Sequence, residues 1–182
     1  MQQAAAQARR AADVVARLRS LVRAPESAPS MRAVQLEGVA RQVLELFEPE
    51  ARRRGVVAVI QGQAPPVQAD PVALEQIVHN LVGNAMQALE DVSSQQRRLE
   101  LLVAVEAGQG VLTVRDNGPG IAPEALPRLF EPFYTTRRGG LGLGLSLCET
   151  LVQAMQGSLS ARNAQPRGAE FRLALPLAGA PT

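Results

Sequence analysis

One cysteine, one histidine, no tryptophan and not a single lysine mark this 182-residue chain by what it goes without. A lone Cys148 excludes an internal disulfide, and together with a single histidine it leaves too few soft ligands for a zinc site. Aromatic residues make up only 3% of the chain, so platforms for stacking bases are missing. The net charge is +2, and the basic residues sit in short runs such as Arg52-Arg53-Arg54 and Arg97-Arg98. These runs read as solvated helix ends, and no nucleic-acid partner is expected. No apolar run approaches the roughly eighteen residues of a membrane span. The start, Met1-Gln2-Gln3-Ala4, has no hydrophobic signal core, so neither membrane contact nor secretion is expected of this segment, and a reducing cytoplasm fits. Because every Lys/Arg position is arginine, any cation that meets a phosphate here must be a guanidinium.

What is present suffices for one ordinary domain with an appendage: 46% hydrophobic residues can build a core, and 20% charged residues give a common surface. Residues 3–23 carry alanines, valines and leucines at helical spacing, and 25–31, rich in Pro and Ser, read as a linker. From Arg32 the texture becomes that of a mixed domain running to about residue 178. A short extended piece precedes a helix over 36–54, which Gly55 should end in the C-cap position. A strand follows over 56–60. Asp70-Pro71 opens a second helix as N-cap and first helical residue, extending to about Val92. Strands over 99–105 and 111–115 flank a turn at Gly108-Gln109-Gly110, and residues 119–140 form an irregular stretch with one helical turn near 124–130. A third helix (143–155) and a hairpin (157–163 with 169–175) close the domain. The expected class is α+β, a two-layer α/β sandwich with three main helices on one face of a mixed sheet.

Three patterns carry chemistry. Asn80 and Asn84 stand four apart mid-helix, so both amides leave one face, a poor choice for helix propensity but a fit for Mg²⁺, which takes few protein oxygens. Two solvated surface asparagines would look the same. Asp116-Asn117-Gly118-Pro119-Gly120-Ile121 puts a carboxylate at a strand end, where it can accept from an exocyclic amine such as adenine's; the same residues also make a plain tight turn. Gly140-Leu141-Gly142-Leu143-Gly144-Leu145 opens a helix and offers backbone N–H groups to phosphate, or serves as a hinge. It satisfies neither the Walker nor the Rossmann pattern. Between the last two lies Phe130-Glu131-Pro132-Phe133-Tyr134-Thr135-Thr136-Arg137-Arg138. Phe130 and Phe133 are candidates for lid anchors or for core, and Arg137 and Arg138 for contacts to terminal phosphate oxygens or for plain solvated charge.

In this order the four blocks resemble the N, G1, F and G2 boxes of sensor histidine kinases, in the GHKL superfamily shared with gyrase, mismatch-repair ATPases and a heat-shock chaperone. The Phe-Glu-Pro-Phe-Tyr-Thr-Thr block resembles the kinases rather than the other branches. The resemblance spans about residues 33–176 and implies the Bergerat ATP-binding fold, with ATP and Mg²⁺ as cofactors. It implies Asn84 as the Mg²⁺ ligand and Asn80 as support for metal and phosphates. Asp116 would read adenine, with Gly118, Gly120 and Ile121 shaping the pocket. Phe133, Thr135, Thr136, Arg137, Gly140, Leu141, Gly142, Leu143, Gly144 and Leu145 would hold lid and phosphates, with Arg137 where the family commonly has lysine. Residues 1–24 resemble the second helix of the family's dimerisation and phosphoacceptor hairpin. The helix carrying the phosphoacceptor histidine has no counterpart here, which suggests a truncation. The implied activity is therefore transfer of the γ-phosphoryl to a histidine on a separate helix, without autophosphorylation of this chain alone. A response regulator would act downstream, and a homodimer would form in the intact protein. A nucleotide-binding pseudokinase is the alternative. His79, inside the N box, is expected to pack or hydrogen-bond rather than accept phosphate.

Overall fold

The computed structural model describes residues 30–136 and 140–179, so the expectations for the N-terminal helix and most of the linker lie outside the described residues. Seven strands and three α-helices follow one another: β1 (Arg32–Val34), α1 (Leu36–Arg54), β2 (Val57–Gly62), β3 (Val67–Ala69), α2 (Pro71–Ala88), β4 (Arg98–Glu106), β5 (Gln109–Asp116), α3 (Gly144–Ala154), β6 (Ser158–Asn163) and β7 (Ala169–Pro176). Five strands form a sheet in the order β2-β4-β5-β7-β6, with β2 and β4 parallel and the other pairs antiparallel. The three helices lie side by side over one face, giving the expected two-layer sandwich.

Register follows from alternation. Leu99, Leu101 and Val103 of β4 are buried while their neighbours are less so, and pairing sets Leu101 beside Val114, Leu112 beside Leu173 and Leu159 beside Leu173. A slip of one residue would turn this whole apolar set away from the helices. Above it, α2 buries Leu74, Ile77, Val78, Leu81 and Val82 completely, the stripe that 3.6-residue periodicity demands. On the other face of the sheet, ion pairs such as Arg172–Glu106 and Arg162–Glu170 cover the strands.

Helix ends are set by chemistry. Gly55 adopts φ 67° and closes α1 through bonds from its N–H to the carbonyls of Ala51 and Arg52, as expected. Asp70 Oδ1 accepts from the N–H groups of Val72 (2.9 Å) and Ala73 (3.0 Å), and its Oδ2 accepts from Ser30 N–H. α2 stops at Ala88, four residues short of Val92, and tightens into a 3₁₀ turn over Leu89–Asp91. There Arg97 donates to the carbonyls of Glu90, Val92 and Arg54, stitching the ends of α1 and α2 together. One guanidinium thus serves carbonyls left open where the two helices end, and Arg97 is half-buried, not a solvated helix end.

Two further differences concern the strands. The β4–β5 turn centres on Ala107 (φ 48°) and Gly108 (φ 76°), one step before the expected position, because a two-residue hairpin turn needs two adjacent positive φ values. Gln109 and Gly110 belong to β5. Strand β3 is three residues long, too short for periodicity to mark, and forms by pairing with β1, with Val67 bridging to Leu177 beyond β7.

The backbone donors at Asp70 hold its carboxyl below the ordinary carboxylate range, led by Ala73 N–H and opposed by partial burial. A depressed folded value means stability that is fully present above the unfolded pKa and lost as pH falls through the folded one. Asp70→Ala is therefore expected to cost about 1 kcal/mol at neutral pH, with the difference from the native chain closing below about pH 4 in urea melts.

Candidate functional site

Two contacts tie expected site residues to α2: Gly118 lies against Ala88 at its end, and Asn80 reaches Gly144 at the start of α3. Asp116 ends β5, is 3% exposed, and its Oδ1 accepts from Gly118 N–H at 2.8 Å and Ala169 N–H at 3.3 Å. Those bonds satisfy one oxygen in a place where an unsatisfied carboxylate would be costly. They also fix the direction of the group.

The turn after Asp116 is tied on several sides. Asn117 accepts from Arg98 N–H at 2.8 Å and donates to Gln96 O at 2.6 Å, so its amide extends the pairing with the start of β4. Arg167 Nε donates to Gly118 O at 3.3 Å. Asn163, at the end of β6, accepts from Ile121 N–H at 2.7 Å and donates to Ile121 O at 2.8 Å. Sequence reading missed Asn117, Asn163 and Arg167, for the latter two lie in a hairpin more than 40 residues away whose approach only the sheet decides.

Asn80 and Asn84 are both half-buried on α2. Asn80 Nδ2 donates to Gly144 O at 3.3 Å, and its amide also hydrogen-bonds Cys148. Gly144 starts α3, so the first asparagine joins the N-box helix to the helix that follows the glycine loop. This tertiary bond accounts for an asparagine in mid-helix, which local propensity disfavours. Asn84 also makes an interaction of its own. His79 is exposed and packs its ring on Phe47, centroids 4.9 Å apart, in keeping with a packing role.

Leu143 occupies the N-cap of α3 and contributes no side-chain cap to the N–H groups of the first turn, the kind of donors that suit an anion. The loop before it is braced on the F-box segment. Phe133 N–H donates to Gly142 O at 2.9 Å, and a Cβ on Gly142 (φ 66°) would come within 2.4 Å of the Phe133 carbonyl carbon. Only glycine fits that approach. Phe133 is itself at φ 67° and 73% exposed, so it is not a core residue, whereas Phe130 is half-buried. Arg128 lies over the Tyr134 ring at 4.4 Å and pairs with Glu131, stiffening the same segment. Thr135, Thr136 and Gly140 are exposed, Leu141 and Leu145 half-buried, and Leu143 buried. Arg137, with Arg138 and Gly139, lies outside the described residues.

No cluster of three or more His, Cys, Asp or Glu side chains fit to hold a metal exists among the described residues. A groove of about 550 Å³ between α1 and the edge strand β2 shares no residue with the motifs, and we assign it no part in the site. No helix among the described residues is long and apolar enough to cross a membrane.

The family of Histidine kinase-, DNA gyrase B-, and HSP90-like ATPases matches residues 69–179. The C4-dicarboxylate transport sensor protein DctS of Rhodobacter capsulatus is 33% identical over 94% of the chain, which corresponds to 26% of that protein. The sensor histidine kinase ZraS of Escherichia coli O157:H7 is 34% identical over 90% of the chain and 35% of its own length. The chain thus spans about a quarter to a third of these relatives. Among solved structures, full-length ShkA in complex with AMPPNP superposes with a TM-score of 0.77 at 32% identity, over 93% of this chain and 36% of that one. The catalytic domain of histidine kinase ThkA gives 0.71 at 26% identity, over 81% and 95%.

Burial pushes the Cys148 thiol up to about 12, against the smaller opposing effect of the Asn80 amide. A thiol kept protonated and buried is a poor nucleophile. Alkylation by iodoacetamide at pH 8 is expected to be negligible in the native chain and rapid in urea, with mass spectrometry following the single adduct.

Proposed function

Because this chain belongs to the histidine kinase-, DNA gyrase B- and HSP90-like ATPases and is the ATP-binding catalytic domain of a sensor histidine kinase, we propose that Asp116 receives the adenine amine of ATP and that Asn84 holds Mg²⁺. The observation that carries this reading is the buried Asp116, oriented by the N–H groups of Gly118 and Ala169 at the mouth of the Asn-bearing helix. A carboxylate held in that way presents an acceptor to an amine and discriminates against a base that offers a carbonyl there.

The donor set fits the metal. Mg²⁺ takes one or two protein oxygens and completes its shell with water and phosphate, so the amide oxygen of Asn84 suffices without a carboxylate cluster. When bound, the ion neutralises charge on the β- and γ-phosphates. The first-turn N–H groups of α3 meet the phosphate chain, Asn80 keeps α3 registered on α2, and Thr135, Thr136 and the Arg137 guanidinium serve the terminal phosphate. Phosphoryl transfer needs little covalent work from the protein, so positioning and charge stabilisation carry the rate. The γ-phosphoryl passes to a histidine on a separate phosphoacceptor helix, and from there to a response regulator. The one histidine of this chain, His79, sits on α2 with its ring tilted against Phe47 of α1, and we assign it a packing role, not that of acceptor. The similarity to ZraS, a sensor histidine kinase, and to DctS, a sensor protein, supports the same assignment.

Calorimetry with a Mg²⁺·ATP analogue should give a dissociation constant on the order of micromolar to tens of micromolar, about −6 to −8 kcal/mol. Asp116→Asn should lose most of that affinity; equal binding by the variant would place the adenine elsewhere. Asn84→Ala should abolish the gain in affinity that Mg²⁺ brings while leaving metal-free nucleotide binding in place. Phosphate transfer to an added acceptor hairpin, with none to the chain alone, is the expected outcome of a radiolabel assay.

A further inference from the structure

We infer that Asn163, a residue of the β6–β7 hairpin outside all four motifs, is a positioning residue that sets the base specificity of the nucleotide pocket through the backbone of Ile121. The inference rests on the adenine reading of Asp116. Asn163 makes two hydrogen bonds to one residue, accepting from Ile121 N–H at 2.7 Å and donating to Ile121 O at 2.8 Å. A side-chain amide that satisfies both the backbone donor and the backbone acceptor of a single residue acts as a substitute β-partner for it. Ile121 thereby gains strand-like pairing although it belongs to no strand.

Gly120 makes the contact possible. Its φ is +84°, and a Cβ there would stand 2.9 Å from Asn163 Oδ1, in the space the amide oxygen uses. The second glycine of the Asp-x-Gly-x-Gly turn therefore has a structural duty towards Asn163 in addition to any contact with ligand. At its other end the turn is secured by Asp116 to Ala169 N–H and by Asn117 to Arg98 and Gln96. Without the Asn163 clasp, the backbone from Gly118 to Ile121 keeps its hydrogen bonds at the entry and the 3.3 Å bond from Arg167 to Gly118 O, and at its far end only the packing of the Ile121 side chain on the core. The backbone of the turn is then free to shift relative to the Asp116 carboxylate, and a base is read less strictly.

Asn163 is solvent-exposed at the rim and adds nothing to the buried core, so its removal is expected to spare the fold. The test measures affinity of the full chain for Mg²⁺-bound ATP and GTP analogues, with the thermal midpoint as a control. Asn163→Ala should weaken ATP-analogue binding about tenfold, narrow the ATP-over-GTP preference, and leave the midpoint within a few degrees of the native chain. Gly120→Ala should show the same loss of preference, and the double variant should lose little more than Gly120→Ala alone, because both changes break one contact. Native discrimination in Asn163→Ala, or fully additive losses in the double variant, overturns the inference while leaving the adenine reading intact. Failure of the native chain to bind either nucleotide overturns the adenine reading first and this inference with it. Should Asn163→Ala fail to fold, amide exchange on the native chain decides: a protected Ile121 N–H that slows further with the ATP analogue supports the clasp, and a rapidly exchanging one refutes it.

Discussion

Helix α2 lies between α1, α3 and the sheet, and its complete burial along one stripe constrains everything else about the site. With Leu74, Ile77, Val78, Leu81 and Val82 all out of solvent, the rotation of the helix about its axis is settled. Turning it to expose any of them would cost on the order of 1.5–3 kcal/mol per side chain. Asn80 is thereby turned towards the start of α3. Asn80 uses that direction to bond Gly144 O, so the burial of apolar residues is what delivers a polar amide to the glycine loop.

Around this rigid centre the loops of the site are held by hydrogen bonds to backbone groups more than by side-chain packing. The glycine loop is joined to the F-box segment by the Phe133–Gly142 bond, and the turn after Asp116 is fastened to β4, β6 and β7. Such fastening suits a site that must keep polar groups in place next to water, where hydrophobic packing has little to grip. Arginine does much of the remaining work. Arg97 caps two helix ends at once, and Arg128 stacks on Tyr134, uses of a planar guanidinium that a lysine ammonium matches poorly.

Much of this was legible from residue order alone. The Asp70-Pro71 start of α2, the Gly55 stop of α1, the alternation that makes β4 a strand, and the Asn, Asp-Gly and Gly-Leu patterns are local, and local chemistry determines them through propensity, capping and turn geometry. The family assignment rests on these same patterns. Tertiary structure alone decided the rest, and the reason is common to every case: the partner lies far along the chain. Strand β3 exists because β1 pairs with it, Arg97 is half-buried because the end of α1 offers it the Arg54 carbonyl, and Asn80 and Asn163 acquire meaning from Gly144 and Ile121. Residues of such short or isolated character carry no periodic signal, and their roles come into being when the sheet brings distant segments within hydrogen-bond reach.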